Sequence, residues 1–188
     1  MIIKGVRTTW QYLFDKKKNP FGGEAKYECT VIIPKDNTAA LDAFKAAIQE
    51  AKEKAKESYG TKGIDALEFK LKNGDSETDN PKEYEFLKGC YYFTAKNKKE
   101  IEKYKAVKQN GKAVKVNAEK EDYYNGMNSI VVANPFVYNQ NGRKGITMYL
   151  NGIIQIPGGE RLAGGNNIQD IDIEDVFLAE EDDDWAVL

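Results

Sequence analysis

Two stretches of this chain alternate flat rings with cations. In KGCYYFTAKNKK, residues 88–99, an extended backbone puts Tyr91 and Phe93 on one side and Tyr92 on the other, and the run passes directly into Lys96, Lys98 and Lys99. In NSIVVANPFVYNQNGRKGITMYLNGIIQI, residues 128–156, Phe136 and Tyr138 share a side with Ile130 and Val132, and Arg143 and Lys144 follow directly after Asn141-Gly142. A ring offers a π-face to any flat ligand, and an ammonium group pairs with anions. Side by side they suit a ligand that is both aromatic and anionic. Only one face of residues 90–95 can be core, which leaves Tyr91 and Phe93, or Tyr92, to such a ligand.

Other chemistries have little to work with. Histidine is absent, which removes imidazole acid–base catalysis, Ser-His and Cys-His nucleophiles and most zinc sites. Cys29 and Cys90 stand alone, without ligand spacing, and read as two small buried side chains in a reducing compartment. The acids Asp170, Asp172, Glu174 and Asp175 lack the glycine bend and distal glutamate of a calcium loop. No cofactor, metal or catalytic residue is expected. A metal-dependent nuclease is the enzyme alternative; RNA binding or an adaptor role is the other.

The positioning elements follow from periodicity. Asn141-Gly142 is a strong signal for a two-residue hairpin turn, because both positions favour positive φ. In the first arm Val131, Ala133 and Val137 oppose the face of Phe136 and Tyr138. In the second, Ile146, Met148 and Leu150 alternate with Thr147, Tyr149 and Asn151. Residues 2–14 read as an opening strand with Trp10, Tyr12 and Phe14 on one face, either core or a stacking platform. Residues 24–34 form a second strand, with Tyr27, Cys29 and Val31 on one side. A helix is expected from about Thr38 to Ser58, capped by Asp36, Asn37 or Thr38 and stopped at Gly60. Its stripe Leu41, Phe44, Ile48, Ala51 and Ala55 is apolar. KAVKQNGKAVK, residues 105–115, reads as a smaller hairpin displaying Lys105, Lys108, Lys112 and Lys115. It is a solubilising surface or an arm along a phosphate backbone.

The formal charge of −2 conceals a polar division. From Asp170 onward there are nine acids and no base, while residues 1–169 hold 28 bases against 21 acids. A body of +7 thus carries a tail of −9. The tail's composition predicts disorder, and Trp185, Val187 and Leu188 give it an apolar tip for a partner to grip. No run is long and apolar enough for a membrane span, and the Met-Ile-Ile-Lys start lacks a signal-peptide pattern.

The order of RTTWQYLF, PFGGEAKYECTVIIPK, the amphipathic helix, KGCYYFTAKNKK and the Tyr124–Leu150 region resembles the phage single-stranded-DNA-binding proteins with an OB-type barrel. The likeness spans roughly residues 1–166. It implies a mainly β fold: a five-stranded barrel with an inserted amphipathic helix, extra hairpins and an acidic tail. The binding domain would be residues 1–166 and the tail 167–188. It further implies sequence-independent binding of single strands in a groove of aromatic and basic residues, serving phage replication and recombination in the cytoplasm of an infected bacterium.

On chemistry and place, Tyr12, Tyr91, Phe93, Phe136 and Tyr138 are the expected stacking residues. Arg7, Lys96, Lys98, Lys108, Lys112, Arg143 and Lys144 are the expected backbone contacts. Asp182, Asp183, Asp184 and Trp185 are expected to engage a polymerase, helicase or nuclease, and a homo-oligomer is compatible with the chain.

Overall fold

A computed structural model describes residues 1–18, 20, 22–76, 84–140 and 142–162. The strands in chain order are β1 (Ile2–Lys17), β2 (Lys26–Pro34), β3 (Lys72–Asn73), β4 (Cys90–Asn97), β5 (Glu102–Gln109), β6 (Lys112–Asn117), β7 (Met127–Gln140) and β8 (Arg143–Ile156). The helix α1 (Thr38–Tyr59) lies between β2 and β3. Antiparallel pairing gives the order β4-β2-β1-β7-β8, and a parallel bridge from Lys96 to Tyr149 joins β8 back to β4. The result is the expected mainly β, five-stranded closed barrel with one inserted helix.

Each barrel strand turns one side inward. Cys29, Val31 and Ile33 of β2, Phe93 and Ala95 of β4, Val131 and Ala133 of β7, and Met148, Leu150 and Ile153 of β8 share one core with Ile3, Val6 and Leu13 of β1. Strict alternation fails at three places along β1, one of them between Tyr12 and Lys17. The register with β7 shifts between Ile3 and Val6, at Gly5 with φ +64°, and that with β2 shifts between Thr9 and Tyr12, at Trp10 with φ +47°. Each bulge re-phases the strand, so that Ile3, Val6 and Leu13 all point inward despite unequal spacing.

The helix begins where Asn37 Oδ1 accepts the Ala40 N–H at 3.1 Å, and ends at Gly60, whose φ of +74° suits glycine. Its first half closes the barrel with Phe44, Leu41 and Ile48. Its second half leaves the barrel: Ala55 and Ala51 pack with Ile64, Leu67, Val137 and Ile146 beneath the β7–β8 hairpin. The long hairpin is therefore supported on one side by α1 and bare on the other. The smaller hairpin forms as predicted, with Asn110 and Gly111 at φ +50° and +77° making the turn; β5 attaches it to β8 in parallel through Glu102–Lys105.

One expectation about β4 is overturned. Both of its faces are buried at Tyr92 and Phe93, because residues 84–87 fold over the outside of the barrel there. Leu87, Tyr84 and Phe86 cover Ile32, Cys90 and Tyr92, while Phe93 points inward. Neither Phe93 nor Tyr92 is left for a ligand. The expected tail at 167–188, with Asp182, Asp183, Asp184 and Trp185, and the domain boundary before it lie outside the described residues.

Candidate nucleic-acid interface

The barrel's outer face carries a row fixed by strand register. Tyr12 on β1 faces Glu28 on β2, Glu28 faces Lys96 on β4, Lys96 faces Tyr149 on β8, and Tyr149 faces Asn134 on β7. Paired residues send side chains to the same side, so five strands contribute to one surface. Phe136 lies diagonally from Tyr149, their ring centroids 5.6 Å apart. Two residues further along β7, Tyr138 lies against Gly145, where any Cβ would come within 2.4 Å of its hydroxyl. That glycine lets the ring lie close to the strand.

Large exposed hydrophobics concentrate here. Among the described residues they are Ile2, Trp10, Tyr12, Tyr59, Phe136, Tyr138 and Tyr149, and five of the seven are rings on this surface. Trp10 sits where the row meets the cover, edge-on to Tyr84 and Phe86 at 5.7 Å from each. These contacts hold a tryptophan in the left-handed region, which costs about 1 kcal/mol or more in a bulky residue.

A cleft of about 710 Å³ opens beside Phe136 and Tyr149. Its other walls include Met1, the α1 residues Ala47, Glu50, Ala51 and Lys54, and the Asn97–Lys99 corner. Asn97 fixes that corner by donating to the Leu150 carbonyl at 2.7 Å and accepting from the Lys99 backbone N–H. Lys98 and Lys99 stand on the rim, and Lys98 reaches Glu24 at 2.6 Å. This ion pair raises the Lys98 pKa, chiefly through its hydrogen bond to Glu24.

Within the row Glu28 lies between two ammonium groups, with Lys17 at 2.6 Å from one carboxylate oxygen and Lys96 at 3.1 Å from the other. Lys17 Nζ also lies 5.1 Å from the centroid of the Tyr12 ring. Burial pushes the Glu28 carboxyl up, but the bonds from Lys17 and Lys96 outweigh it and the net direction is down. A carboxyl depressed on folding stabilises above its unfolded pKa of roughly 4.3 and loses that contribution as pH falls through the folded value. Urea unfolding midpoints should therefore drop below about pH 4, and Glu28→Gln should flatten that drop. An equally steep fall in the variant would show that other carboxylates are responsible.

The structure unites some of the expected residues and separates others. Tyr12, Phe136, Tyr138, Lys96 and Lys98 all belong to the surface just described. Phe93 does not: it is 3% exposed, packed between Phe44 and Phe69 inside the barrel, and no base can reach it. Tyr91 lies five residues from Lys96, about 16 Å along the strand. Its half-buried ring carries the Lys35 ammonium, which is itself tied to Asp75. Arg7 is engaged in structure, donating from Nη2 to the Phe86 carbonyl at 3.0 Å and pinning the cover.

Lys108 and Lys112 are exposed at the tip of the small hairpin, roughly 30 Å beyond Tyr149 by strand register. Arg143 and Lys144 flank the long hairpin's tip, where Arg143 is exposed and Lys144 donates to the Lys62 carbonyl at 2.8 Å. Sequence reasoning missed Trp10, Lys17, Glu28, Lys99 and Tyr149 as members of the surface. Tyr149 had a usable signal, since it alternates with Met148 and Leu150. Glu28 had none, because its role depends on cations from two other strands.

Among the described residues no cluster of His, Cys, Asp or Glu is placed to hold a metal ion. The arrangement can stack flat groups and attract anions.

Known proteins share this chain's sequence family and its fold. The profile of a family described as "Enterobacter phage Enc34, ssDNA-binding protein" matches residues 1–186. A relative called "Putative protein p50", from Acyrthosiphon pisum secondary endosymbiont phage 1, is 26% identical over 190 aligned positions, covering 96% of each chain. The fold is similar to that of the single-stranded DNA-binding protein from bacteriophage Enc34 in complex with ssDNA. That match has a TM-score of 0.61 and 22% identity, over 87% of this chain and 88% of the other. A C-terminal truncation of the Enc34 protein gives a TM-score of 0.60 at 21% identity, over 85% and 86% of the two chains. With its barrel so matched and its sequence aligned almost end to end, the chain belongs to the Enc34 ssDNA-binding protein family.

Proposed function

We propose that the protein binds single-stranded DNA without reading its sequence, and that it acts in phage DNA replication and recombination within the infected cell. The observation that carries this reading is the surface joining Trp10, Tyr12, Tyr149, Phe136 and Tyr138 with Lys17, Lys96, Lys98 and Lys99. Unpaired bases present π-faces of every sequence to such rings, and stacking is worth roughly 1–3 kcal/mol per base. A duplex hides those faces. Membership of a family described by ssDNA binding supports the same conclusion.

The −9 tail has two proposed roles: occupying the cationic surface when DNA is absent, and offering Asp182, Asp183, Asp184 and Trp185 to a polymerase, helicase or nuclease. Both rest on its charge and its apolar tip.

The test is a titration with oligo-dT, oligo-rU and duplex DNA, followed by tryptophan fluorescence over a salt series. Each phosphate contact contributes about 0.7 to the log–log salt slope for single strands, so Lys98, Lys99 and the one net charge that Lys17 and Lys96 keep beside Glu28 predict a slope of roughly −2. Deletion of residues 170–188 should tighten binding. Preference for duplex, or no binding of either form at low salt, overturns the proposal; preference for oligo-rU reassigns it to RNA.

A further inference from the structure

A carboxylate at the centre of a surface meant for polyanions calls for an explanation. Glu28 is 7% exposed, and each of its oxygens is taken by a different lysine. It stands in the register row between Tyr12 and Lys96, with Tyr149 next beyond. A second acid on this surface's cations is Glu24, which pairs with Lys98; both of those side chains are more than half exposed. An exposed pair of that kind is worth little, and a phosphate displaces the acid easily. Glu28 is held within a strand, with its carboxylate buried under its partners, and cannot swing away.

We propose that Glu28 is a fixed internal counter-anion that limits phosphate contact at the middle of the interface, directing bases across the centre and the sugar-phosphate backbone toward the Lys98–Lys99 rim. The inference rests on the single-strand reading above. Lys17 and Lys96, sharing one carboxylate, offer a strand one net positive charge instead of two. A phosphate set over the row would meet the carboxylate as well as the ammonium groups, whereas an uncharged base meets no such penalty. The rings on either side, Tyr12 next to Glu28 and Tyr149 beyond Lys96, lie where bases carried over the pair would stack. Glu28 is thus a positioning residue that sets the path of the strand and restrains affinity, which suits a protein that must later release its DNA.

The test compares the full-length protein with Glu28→Gln and Glu24→Gln in oligo-dT titrations across a salt series. One added net charge near the backbone should tighten Glu28→Gln by about fivefold at low salt. Its salt slope should steepen by about 0.7, one further counterion released. Glu24→Gln should change both by less. Weaker binding by Glu28→Gln with an unchanged slope would show a purely structural acid, and no change in either quantity would place Glu28 off the strand's path. Equal gains from both variants would show that burial confers nothing. Either of the first two, or the third, overturns the inference while wild-type binding stands. Failure of the wild type to bind oligo-dT would instead remove the functional reading itself. A melting temperature for each variant keeps folding separate from affinity.

Discussion

Replacing both Phe136 and Tyr149 by alanine is expected to weaken oligo-dT binding by roughly 30-fold to 10⁴-fold, the equivalent of two stacked bases at about 1–3 kcal/mol each. The two rings are 5.6 Å apart at the mouth of the 710 Å³ cleft, and both are at least 40% exposed, so they have area to offer a ligand. Their strands do not depend on them. The partner faces of β7 and β8 are held by Val137 and Ile146 over α1, and by Met148 and Leu150 in the barrel. The double variant should therefore melt within a few degrees of wild type, since mostly exposed side chains contribute little to stability. Tyr59→Ala removes a comparably exposed ring at the end of α1 and should leave affinity unchanged. Fluorescence anisotropy with a labelled oligonucleotide reads both effects. If the double variant binds within about threefold of wild type, stacking at this cleft is not what holds the strand.

The same residues show how far a sequence can be read. Wherever a pattern was local, it was legible. Asn37 and Gly60 bracket the helix, Leu41 to Ala55 mark its buried stripe, and Asn110-Gly111 specifies a turn by its own φ preferences. The hairpin alternation put Phe136 and Tyr138 on one face and Val137 on the other, and in the structure the first two are exposed and Val137 is buried. The opening strand was misread for a physical reason. Alternation assumes an unbroken pleat, and the register with β2 shifts between Thr9 and Tyr12 and again between Tyr12 and Lys17, so Trp10, Tyr12 and Phe14 do not share one environment. Trp10 meets Tyr84 and Phe86, Tyr12 is open under Lys17, and Phe14 packs against Tyr123.

The error at Phe93 has a different origin. A strand with rings on both sides suggests one free face only if nothing else covers it, and the cover comes from residues 84–87, whose own pattern is short and weak. Arg7 meets the same cover, donating from Nη2 to the Phe86 carbonyl. Long-range pairing is the layer that composition and periodicity do not carry. The lysines of the row could be counted in the sequence, but the bond of two of them to Glu28 depends on three strands meeting.

The second large effect separates the two faces of a single strand. Leu150 follows Tyr149 along β8, is wholly buried, and lies opposite Ala133 in the core. Leu150→Ala removes three carbons and leaves a cavity, with alanine as its cross-strand neighbour and so little side chain there to fill it. Such replacements cost about 2–5 kcal/mol. For a chain of this size each kcal/mol lowers the melting temperature by roughly 2–4 °C, so a fall of about 5–20 °C is expected by calorimetry or circular dichroism. Oligonucleotide affinity, measured well below the transition, should stay within about twofold of wild type, because the lost side chain points away from the rings and cations. Phe136→Ala with Tyr149→Ala should give the opposite pair of results, with affinity lost and stability kept. A large affinity loss in Leu150→Ala at a temperature where it is fully folded would mean that the outer face is shaped by the packing beneath it, and that the stacking rings depend on core volume as well as on register.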